Sequence, residues 1–411
     1  MDIRRTVLPV LAVCIVLPLC PAQDWPQWRG PNRDGFVPSL DRGSWPEKLV
    51  KKWQVTVGSG HSSPVVAAGR VYLHTRMAED EVVSAIDLGS GKALWQDRYA
   101  VPYTMNRAAT GHGKGPKSTP VFSGGRLYTF GITGIASCYD VASGKRIWQK
   151  GFESRFRTTS PLYGTAMSPL VDRGLVIYHV GGQDGGALVA LDSVTGGQRW
   201  SWDLDGPGYA SPVIAEWSGV RQVVTQSQSN IIGIGASDGR LLWKIPFTTP
   251  YVQNIVTPVL HNDMLVVSGL EQPTRAYRLR LAGGEWTPER VWENTDVSFY
   301  MSSPVVAAGR LFGLSNRKRG ELVCLDAATG ALLWTGGPRT ADNAAVLASS
   351  RTLLFLTTNS ELVVAENGGG RYREIRRYTV ADSPVWAHPA PVGDSFLVKD
   401  AETLTRWSLV P

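Results

Sequence analysis

The residues best able to do chemistry in this chain are its histidines and a set of aromatic and basic side chains. The six histidines are His61, His74, His112, His179, His261 and His388. No two of them stand at the His-x-x-x-His spacing that would place two ligands on one metal ion. The glycine-rich stretch Gly111–Gly115 opens no helical pattern, so it does not fit a phosphate-binding loop. We therefore expect no catalytic residue set and no metal site. The sequence favours a protein that is not an enzyme, without deciding the question.

A second group of residues is defined by its distance from a proline. Ser/Thr-Pro dipeptides recur along the chain, and the position three before the proline holds His61, Lys117, Ala166, Tyr209, Ile255, Met301 and, before Pro389, Trp386. Tyr163, Tyr251, Tyr300 and His388 stand close to these positions. If the dipeptides mark equivalent points of a ring, these side chains converge on its channel and form a concave site for a planar or anionic ligand. The alternative interpretation is a solvated channel mouth with varied residues. The candidate binding residues are His61, Lys117, Tyr163, Tyr209, Tyr251, Tyr300, Trp386 and His388.

These positions lie within a repeat that carries an aspartate, a glycine and a tryptophan at fixed spacing. Its copies are Asp87 with Gly91 and Trp95, Asp140 with Gly144 and Trp148, Asp192 with Gly196 and Trp200, and Asp326 with Gly330 and Trp334, and a weaker copy ends at Trp243. Asp and Ser/Thr side chains bind nearby backbone N–H groups, and glycine supplies a positive φ, so Asp-x-x-Ser/Thr-Gly predicts a turn between two strands. The aspartates are therefore turn formers rather than general bases. The tryptophans are expected to fill the gap to the neighbouring sheet.

Each repeat unit contains four predicted strands in about 40–55 residues, which is typical of a β-propeller blade. Six units carry the Ser/Thr-Pro dipeptide, a seventh begins near Asn343, and an eighth stops after three strands at the end of the sequence. The stretch Lys51–Val57 resembles the missing outer strand, so we predict that it completes the last blade and closes the ring. The predicted fold is an all-β, eight-bladed propeller of four-stranded blades, and seven is the competing count.

The N-terminal region divides into two segments before the propeller. Residues 1–22 have a basic start and an apolar run of about a dozen residues, which predicts a signal peptide. An alternative is a lipoprotein signal with Cys20 as the acylated residue, although Leu19 is unusual before such a cysteine. Residues 23–44 are rich in Trp, Pro and Gly, and we expect them to pack on the outside of the ring near its closure, or to dock a partner. Residues 45–411 are predicted to form one propeller domain.

Composition limits the classes of partner. The chain is 43% hydrophobic and carries a formal net charge of +7, which supports a sizeable core and only a modest, scattered basic balance. We expect an exported protein of the periplasm or cell envelope, with no nucleic-acid partner, no transmembrane segment in the mature chain, and a monomeric state. Cys138 and Cys324 occupy equivalent positions in distant blades, so we predict no disulfide between them.

Residues 85–95 and 324–334, which read AIDLGSGKALW and CLDAATGALLW, closely resemble the pyrroloquinoline-quinone-like (PQQ-like) propeller repeat. One branch of that family, the quinoprotein alcohol dehydrogenases, binds PQQ with calcium over the channel. Another, the outer-membrane assembly factors of the BamB type, has the same blades, no cofactor and a scaffold role. This chain is shorter than the dehydrogenases and lacks their adjacent cysteines, so the resemblance implies the BamB-like branch and disfavours PQQ and calcium.

We therefore expect an exported, non-enzymatic propeller that binds envelope protein partners through its loop face. Two alternatives remain open at this point. One is a PQQ-dependent oxidoreductase-like protein, and the other is a glycan-binding or glycan-cleaving propeller that uses its aromatic rim.

Overall fold

The computed structural model describes residues 24–368 and 370–410. These residues form 32 β-strands in eight four-stranded antiparallel sheets, and no α-helix. The sheets are arranged as the blades of a propeller, which confirms the predicted fold class and the count of eight. No helix in this part of the chain is long and apolar enough to cross a membrane. The predicted signal segment, with Cys20, lies outside the described residues.

The first strand along the chain, β1 (Val50–Thr56), belongs to the last blade. Blade 1 consists of β2 (Val65–Ala67), β3 (Arg70–Met77), β4 (Asp80–Asp87) and β5 (Ala93–Ala100). Blade 2 consists of β6 (Val121–Ser123), β7 (Arg126–Phe130), β8 (Ala136–Asp140) and β9 (Arg146–Lys150). Blade 3 consists of β10 (Leu170–Asp172), β11 (Leu175–Gly182), β12 (Gly185–Asp192) and β13 (Gln198–Trp202). Blade 4 consists of β14 (Val213–Trp217), β15 (Val220–Gln226), β16 (Asn230–Gly235) and β17 (Leu241–Pro246).

The second half of the ring repeats the same order. Blade 5 consists of β18 (Val259–His261), β19 (Met264–Gly269), β20 (Gln272–Ala282) and β21 (Glu285–Asn294). Blade 6 consists of β22 (Val305–Ala307), β23 (Arg310–Ser315), β24 (Glu321–Asp326) and β25 (Leu332–Thr335). Blade 7 consists of β26 (Ala344–Ala348), β27 (Thr352–Thr357), β28 (Glu361–Glu366) and β29 (Glu374–Thr379). Blade 8 consists of β30 (Ala390–Val392), β31 (Ser395–Lys399), β32 (Thr403–Ser408) and β1. Short 3₁₀ turns occur at Pro38–Leu40, Arg107–His112, Pro250–Val252 and Arg317–Arg319.

The ring is closed by its two ends. Strand β1 pairs antiparallel with β32, from Val50 opposite Ser408 to Thr56 opposite Thr403. This confirms that the N-terminal strand completes the last blade. The arrangement removes the unpaired sheet edge that an open propeller would expose.

Each blade begins at its innermost strand, so the ring has two distinct faces. We call the face where the chain passes from one blade to the next, and where each inner strand begins, the connection face. The opposite face, which carries the turns between third and fourth strands, is the turn face. This geometry follows from four antiparallel strands in sequence order within each of the first seven blades.

The aspartate motif builds the turn face by one repeated geometry. Asp87 Oδ1 accepts hydrogen bonds from the backbone N–H of Ser90 at 2.7 Å and from its hydroxyl at 2.6 Å. Gly91 has φ +73°, and a Cβ there would lie 2.9 Å from the Trp53 ring of the preceding blade. The glycine is therefore required both by the backbone and by the docking of a neighbouring tryptophan.

The other three full copies of the motif place their glycines in the same way. Gly144, Gly196 and Gly330 have φ values of +75°, +71° and +74°. A Cβ on these glycines would lie 2.6 Å from Trp95, 2.9 Å from Trp148 and 2.4 Å from Trp292, respectively. All three glycines lie in turns between the third and fourth strands, outside the strands themselves. Their role in the described structure is therefore to form the turn and admit the tryptophan of the preceding blade.

The tryptophans join neighbouring blades. Each of five indole N–H groups reaches a carbonyl of the next blade, that of the residue after the aspartate position. The pairs are Trp53–Leu88, Trp95–Val141, Trp148–Ser193, Trp200–Ala236 and Trp292–Ala327, at 3.0–3.4 Å. Cys138 and Cys324 lie opposite Trp148 and Trp334 in the sheet, where both thiols are buried and free. Burial raises the pKa of each thiol to about 12.

The Ser/Thr-Pro dipeptides join the blades near the channel. The hydroxyl of one blade accepts the backbone N–H of the corresponding residue in its neighbour. These bonds run from His388 to Ser63, Ser63 to Thr119, Thr119 to Ser168, Ser168 to Ser211 and Thr257 to Ser303, at 2.8–3.1 Å. A buried backbone N–H needs such a partner, which explains why the repeat keeps a hydroxyl at this position.

Candidate functional site

Residues 25–37 cross the inside of the ring, and for them the expectation of packing on its outside is wrong. Asp41 and Arg42 lie on the turn face of blades 7 and 8, near the closure of the ring, where they bond to Ser349 and Asp394. Trp25 exchanges both backbone hydrogen bonds with Val66 on the inner strand of blade 1. The carbonyl of Pro26 accepts the N–H of Phe122 in blade 2. Farther along, Phe36 bridges to Ala348 in blade 7. The segment therefore enters and leaves at the turn face and blocks the channel between.

Two arginines hold this segment across the channel. Arg29 donates to the carbonyl of Pro304 in blade 6, and Arg33 donates to the carbonyls of Ser168 at 3.0 Å and Pro169 at 2.8 Å in blade 3. Both side chains are buried, and burial lowers the pKa of Arg29 to about 10 and that of Arg33 to about 9. Both remain charged at neutral pH. The segment is thus anchored to two distant blades at once.

Trp28 stands at the top of this segment and forms the floor of a cavity. Its indole N–H donates to Thr257 Oγ1 at 3.2 Å, and its ring packs against the His388 ring with centroids 4.2 Å apart. Above it lies a cavity of about 150 Å³. Because the floor is closed from the turn face, this concave site opens toward the connection face.

The structure brings five of the eight candidate binding residues into the lining of this cavity. They are His61, Lys117, Tyr163, Tyr209 and Trp386. The other residues at the position three before proline, Ala166, Ile255 and Met301, line it as well. The Ser/Thr-Pro spacing therefore identified equivalent points around the channel, although whether these side chains bind a ligand stays a prediction.

Three candidates lie outside the lining. Tyr251 is 74% exposed on the connection face. Tyr300 contacts Gln253 beside the cavity, and burial raises the pKa of its phenol to about 12. His388 is buried behind Trp28, because it occupies the place that other blades give to the Ser/Thr hydroxyl.

The structural repeat positions also lie outside the lining, because they belong to the turns and outer strands rather than to the channel. None of them is among the described cavity residues: Asp87, Gly91, Trp95, Asp140, Gly144, Trp148, Asp192, Gly196, Trp200, Trp243, Asp326, Gly330 and Trp334. The repeat thus supports the ring and contributes no side chain to the candidate site.

Ten lining residues were absent from the predicted set of candidates, and four of these stand neither three before the proline nor in a Ser/Thr-Pro dipeptide: Trp28, His112, Gln253 and Asn343. Asn343 stands three residues before Val346, which takes the place of the proline in blade 7. Because blade 7 lacks the proline, the Ser/Thr-Pro pattern did not identify Asn343 as equivalent to the other cavity positions. The pairing of β26 with β27 shows that it is. Trp28 could not be found by the repeat, because it belongs to the segment that precedes the blades.

The charge of the cavity comes from Lys117. Its ammonium donates to the carbonyl of Tyr163, and burial lowers its pKa to about 8, so it is mostly protonated at pH 7. His61 Nε2 lies 2.8 Å from the carbonyl oxygen of His112. Burial, with Lys117 and Lys399 nearby, lowers the pKa of His61 to about 3, so its imidazole is neutral. None of the described lining residues is Asp or Glu. The site is therefore aromatic and positively charged.

The sequence model of the family described as outer membrane protein assembly factor BamB matches residues 51–112 and 79–336. The chain belongs to this family. The BamB of Yersinia pestis is 26% identical over 262 residues, covering 63% of this chain and 60% of that protein. The BamB of Moranella endobia is 26% identical over 223 residues, covering 53% and 51%. The chain thus aligns with between half and about 60% of the length of these curated relatives.

Solved structures with the same fold include both branches of the propeller family. BamB from Moraxella catarrhalis has a TM-score of 0.60 at 13% identity, covering 88% of this chain and 99% of that one. Quinohemoprotein alcohol dehydrogenase from Comamonas testosteroni has a TM-score of 0.64 at 13% identity, covering 94% and 80%. At this identity the likeness shows the fold alone.

In this member of the BamB family, the two most exposed large apolar side chains among the described residues both lie on the connection face. Leu204 and Tyr251 are 79% and 74% exposed, more than any other large apolar side chain in the described part of the chain. Leu204 lies in the connection between blades 3 and 4, and Tyr251 lies in the next connection. Two adjacent connections thus present large apolar groups to solvent.

Proposed function

We propose that this protein is an exported, non-enzymatic scaffold of the cell envelope that binds a protein partner through its connection face. The observation that carries the proposal is the pair Leu204 and Tyr251, exposed on neighbouring connections. Exposed apolar groups of this size cost free energy in water and mark sites of association when they cluster. A tyrosine suits such a contact because it buries a large ring and keeps its hydroxyl in contact with water.

The two faces of the ring differ in what they offer a partner. On the turn face the channel is filled by residues 25–37, and the repeated aspartate turns present short polar loops. On the connection face the longer inter-blade segments surround an open aromatic cavity. A concave site and the two most exposed apolar side chains on the same face favour binding on the connection face.

The curated relatives of this chain are named as outer membrane protein assembly factors. We therefore propose that the partner is a component of outer-membrane protein assembly, and that the protein acts in the periplasm as a monomer. Attachment to a membrane through an acylated Cys20 belongs to the same proposal. It would hold the scaffold close to that partner.

Site-specific photo-crosslinking in the intact envelope tests this proposal. The photo-reactive residue p-benzoylphenylalanine replaces Leu204 or Tyr251 on the connection face. Val194, which is 50% exposed in an aspartate turn of blade 3, is the matched control on the turn face. We expect crosslinks from positions 204 and 251 to a protein identified by mass spectrometry as an assembly component. Equal yields from all three positions, or none from 204 and 251, would contradict the proposal.

The residues of the cavity do not fit the cofactor pair of the dehydrogenase branch. Calcium takes six to eight oxygen ligands, among them carboxylates, and the described lining contains no carboxylate. No group of three His, Cys, Asp or Glu side chains in the described residues is arranged to hold a metal ion. Titration with PQQ, with and without calcium, read by quenching of tryptophan fluorescence, is the direct test. Saturable binding that requires calcium would favour the oxidoreductase alternative.

A further inference from the structure

We propose that the cavity above Trp28 receives one aromatic side chain of the partner, carried on a segment that has a carboxylate beside that ring. This inference rests on the proposed function, because it specifies what the partner presents to the connection face. The cavity is then a recognition pocket for a single side chain of the partner.

The size of the cavity matches one ring. Its volume is about 150 Å³. An engineered protein cavity of about this volume binds benzene, which sets the scale of a single six-membered ring. Interfaces commonly gain most of their affinity from a few aromatic anchors that fill such pockets. The volume therefore favours one aromatic side chain over a ligand of several fused rings.

The walls of the cavity suit an aromatic group and are already in place. Trp28 forms the floor, and Met301 and Ile255 supply apolar side walls. Trp386 is held by an edge-on contact with the His112 ring, with centroids 5.2 Å apart. The Tyr209 hydroxyl accepts the backbone N–H of Tyr163 at 3.2 Å, which fixes that ring. Aromatic and thioether groups favour edge and face contacts with a bound ring.

The charge of the cavity selects a neighbouring anion. Lys117 uses one of its three N–H groups on the carbonyl of Tyr163, so two remain for a ligand. The described lining has no carboxylate that would neutralise this ammonium. Asn343 is 8% exposed, and its buried amide oxygen has no hydrogen-bond partner among the described residues. A ring with a carboxylate beside it would meet both an apolar pocket and a charged hydrogen-bond donor.

The exposed groups and the cavity-lining residues share two inter-blade connections on one face of the ring, which points to a partner chain as the occupant. The connection between blades 3 and 4 carries exposed Leu204 and, five residues later, cavity-lining Tyr209. The next connection carries exposed Tyr251 and, two residues later, cavity-lining Gln253. A protein that binds over these two connections would have its own chain on the face to which the cavity opens.

The test uses two small probes and the purified chain. The probes are N-acetyl-4-fluoro-L-phenylalanine, which has a ring and a carboxylate, and its amide, which lacks the charge. Binding is read by ¹⁹F NMR line broadening. We expect the acid to bind more tightly than the amide. Lys117→Gln should weaken the acid about tenfold and leave the amide within about twofold, since it removes one charge-assisted hydrogen bond.

A second variant tests the location of the ring. Ala166→Trp fills the cavity and should abolish binding of both probes, whereas Val194→Trp on the turn face is the matched control and should change neither. Thermal unfolding of each variant checks that it is folded. If Ala166→Trp does not fold, the difference between acid and amide in Lys117→Gln still tests the assignment. Acid and amide binding equally, or binding unchanged in a folded Ala166→Trp, would overturn the proposal.

The outcome separates this inference from the proposed function. Crosslinks from positions 204 and 251 without probe binding would leave the scaffold in place and reject the anchor pocket. Probe binding without those crosslinks would identify a small-molecule site and reject a partner side chain as its occupant. Probe binding together with crosslinks that excess acid probe suppresses, and its amide suppresses less, is the result we expect.

Discussion

The turn face and the connection face are built from the same eight blades but use their residues differently. On the turn face the same hydrogen bonds recur, with the aspartate oxygen 2.7–2.8 Å from the N–H of Ser90, Ser143, Thr195 and Thr329. On the connection face the backbone bonds recur, but the side chain at each equivalent cavity position is different. Repetition therefore closes the ring, and variation at a repeated position gives the cavity a mixed aromatic, apolar and charged lining.

The largest effect should come from breaking the repeated contacts near the turn face. Trp200 is 7% exposed, packs against Gly239 of the next blade and bonds to the carbonyl of Ala236. Trp200→Ala removes a buried indole and leaves a cavity, so we expect a loss of about 3–5 kcal/mol in the free energy of unfolding. Urea unfolding measures it. A loss below about 1 kcal/mol would contradict a joining role for this tryptophan.

The next effect on stability concerns His388, which stands before the proline in blade 8 where most other blades have Ser or Thr. Burial lowers the pKa of His388 to about 3, so the folded protein resists protonation that the unfolded chain accepts near pH 6.5. The unfolded state then binds more protons, and stability falls as the pH drops from 6.5 toward 4. At pH 5 this group should cost about 2 kcal/mol.

Most other blades have serine at the position of His388. The substitution His388→Ser should therefore remove this histidine's share of the loss in the free energy of unfolding between pH 7 and pH 5. Urea unfolding of both proteins at pH 7 and pH 5 gives the comparison. Burial also lowers the pKa of His61 and of His179, but these groups are present in both proteins and cancel in the difference. Equal losses between the two pH values would show that His388 does not titrate as its burial requires.

A smaller difference in stability is expected between a tryptophan whose indole N–H is hydrogen-bonded to the next blade and one whose N–H is not. The indole N–H of Trp200 has a carbonyl acceptor, whereas that of Trp334 has none among the described residues. Trp200→Phe should therefore cost about 1 kcal/mol more than Trp334→Phe, which is the contribution of one hydrogen bond. Thermal and urea unfolding of the two variants measure the difference, and equal costs would assign the contact to packing alone.

The smallest effect on stability is expected on the connection face. Leu204→Ser and Tyr251→Ser change exposed side chains and should alter the free energy of unfolding by no more than about 0.5 kcal/mol. If both residues contact the same partner, as proposed, Leu204→Ser should nevertheless lower the crosslinking yield from position 251 by about tenfold or more. An unchanged yield would place the contact elsewhere.

Much of the fold could be predicted because the residues that determine each turn lie close together in the sequence. An aspartate binds the N–H three residues later, and a glycine supplies the positive φ that follows, so the turn is encoded within five residues. The alternation of short strands and turns then identifies the blade, and the unpaired last blade requires the N-terminal strand. The Ser/Thr-Pro spacing also identified most of the cavity wall, because equivalent positions in a repeat occupy equivalent points of the ring.

The site could be predicted only in part, because its floor depends on contacts between distant residues. Arg29 and its acceptor Pro304 are 275 residues apart, and nothing in either local sequence indicates the pairing. The exposure of Tyr251 and the burial of His388 also depend on neighbouring blades rather than on spacing from a proline.

By itself, the sequence determined the blade, the number of blades and the closure of the ring, since turn chemistry and strand period act over a few residues. The tertiary structure alone decided that residues 25–37 fill the channel and that Trp28 turns it into a cavity open at one end. The physical reason is that buried arginines and tryptophans find their carbonyl and aromatic partners only after the ring has brought distant blades together.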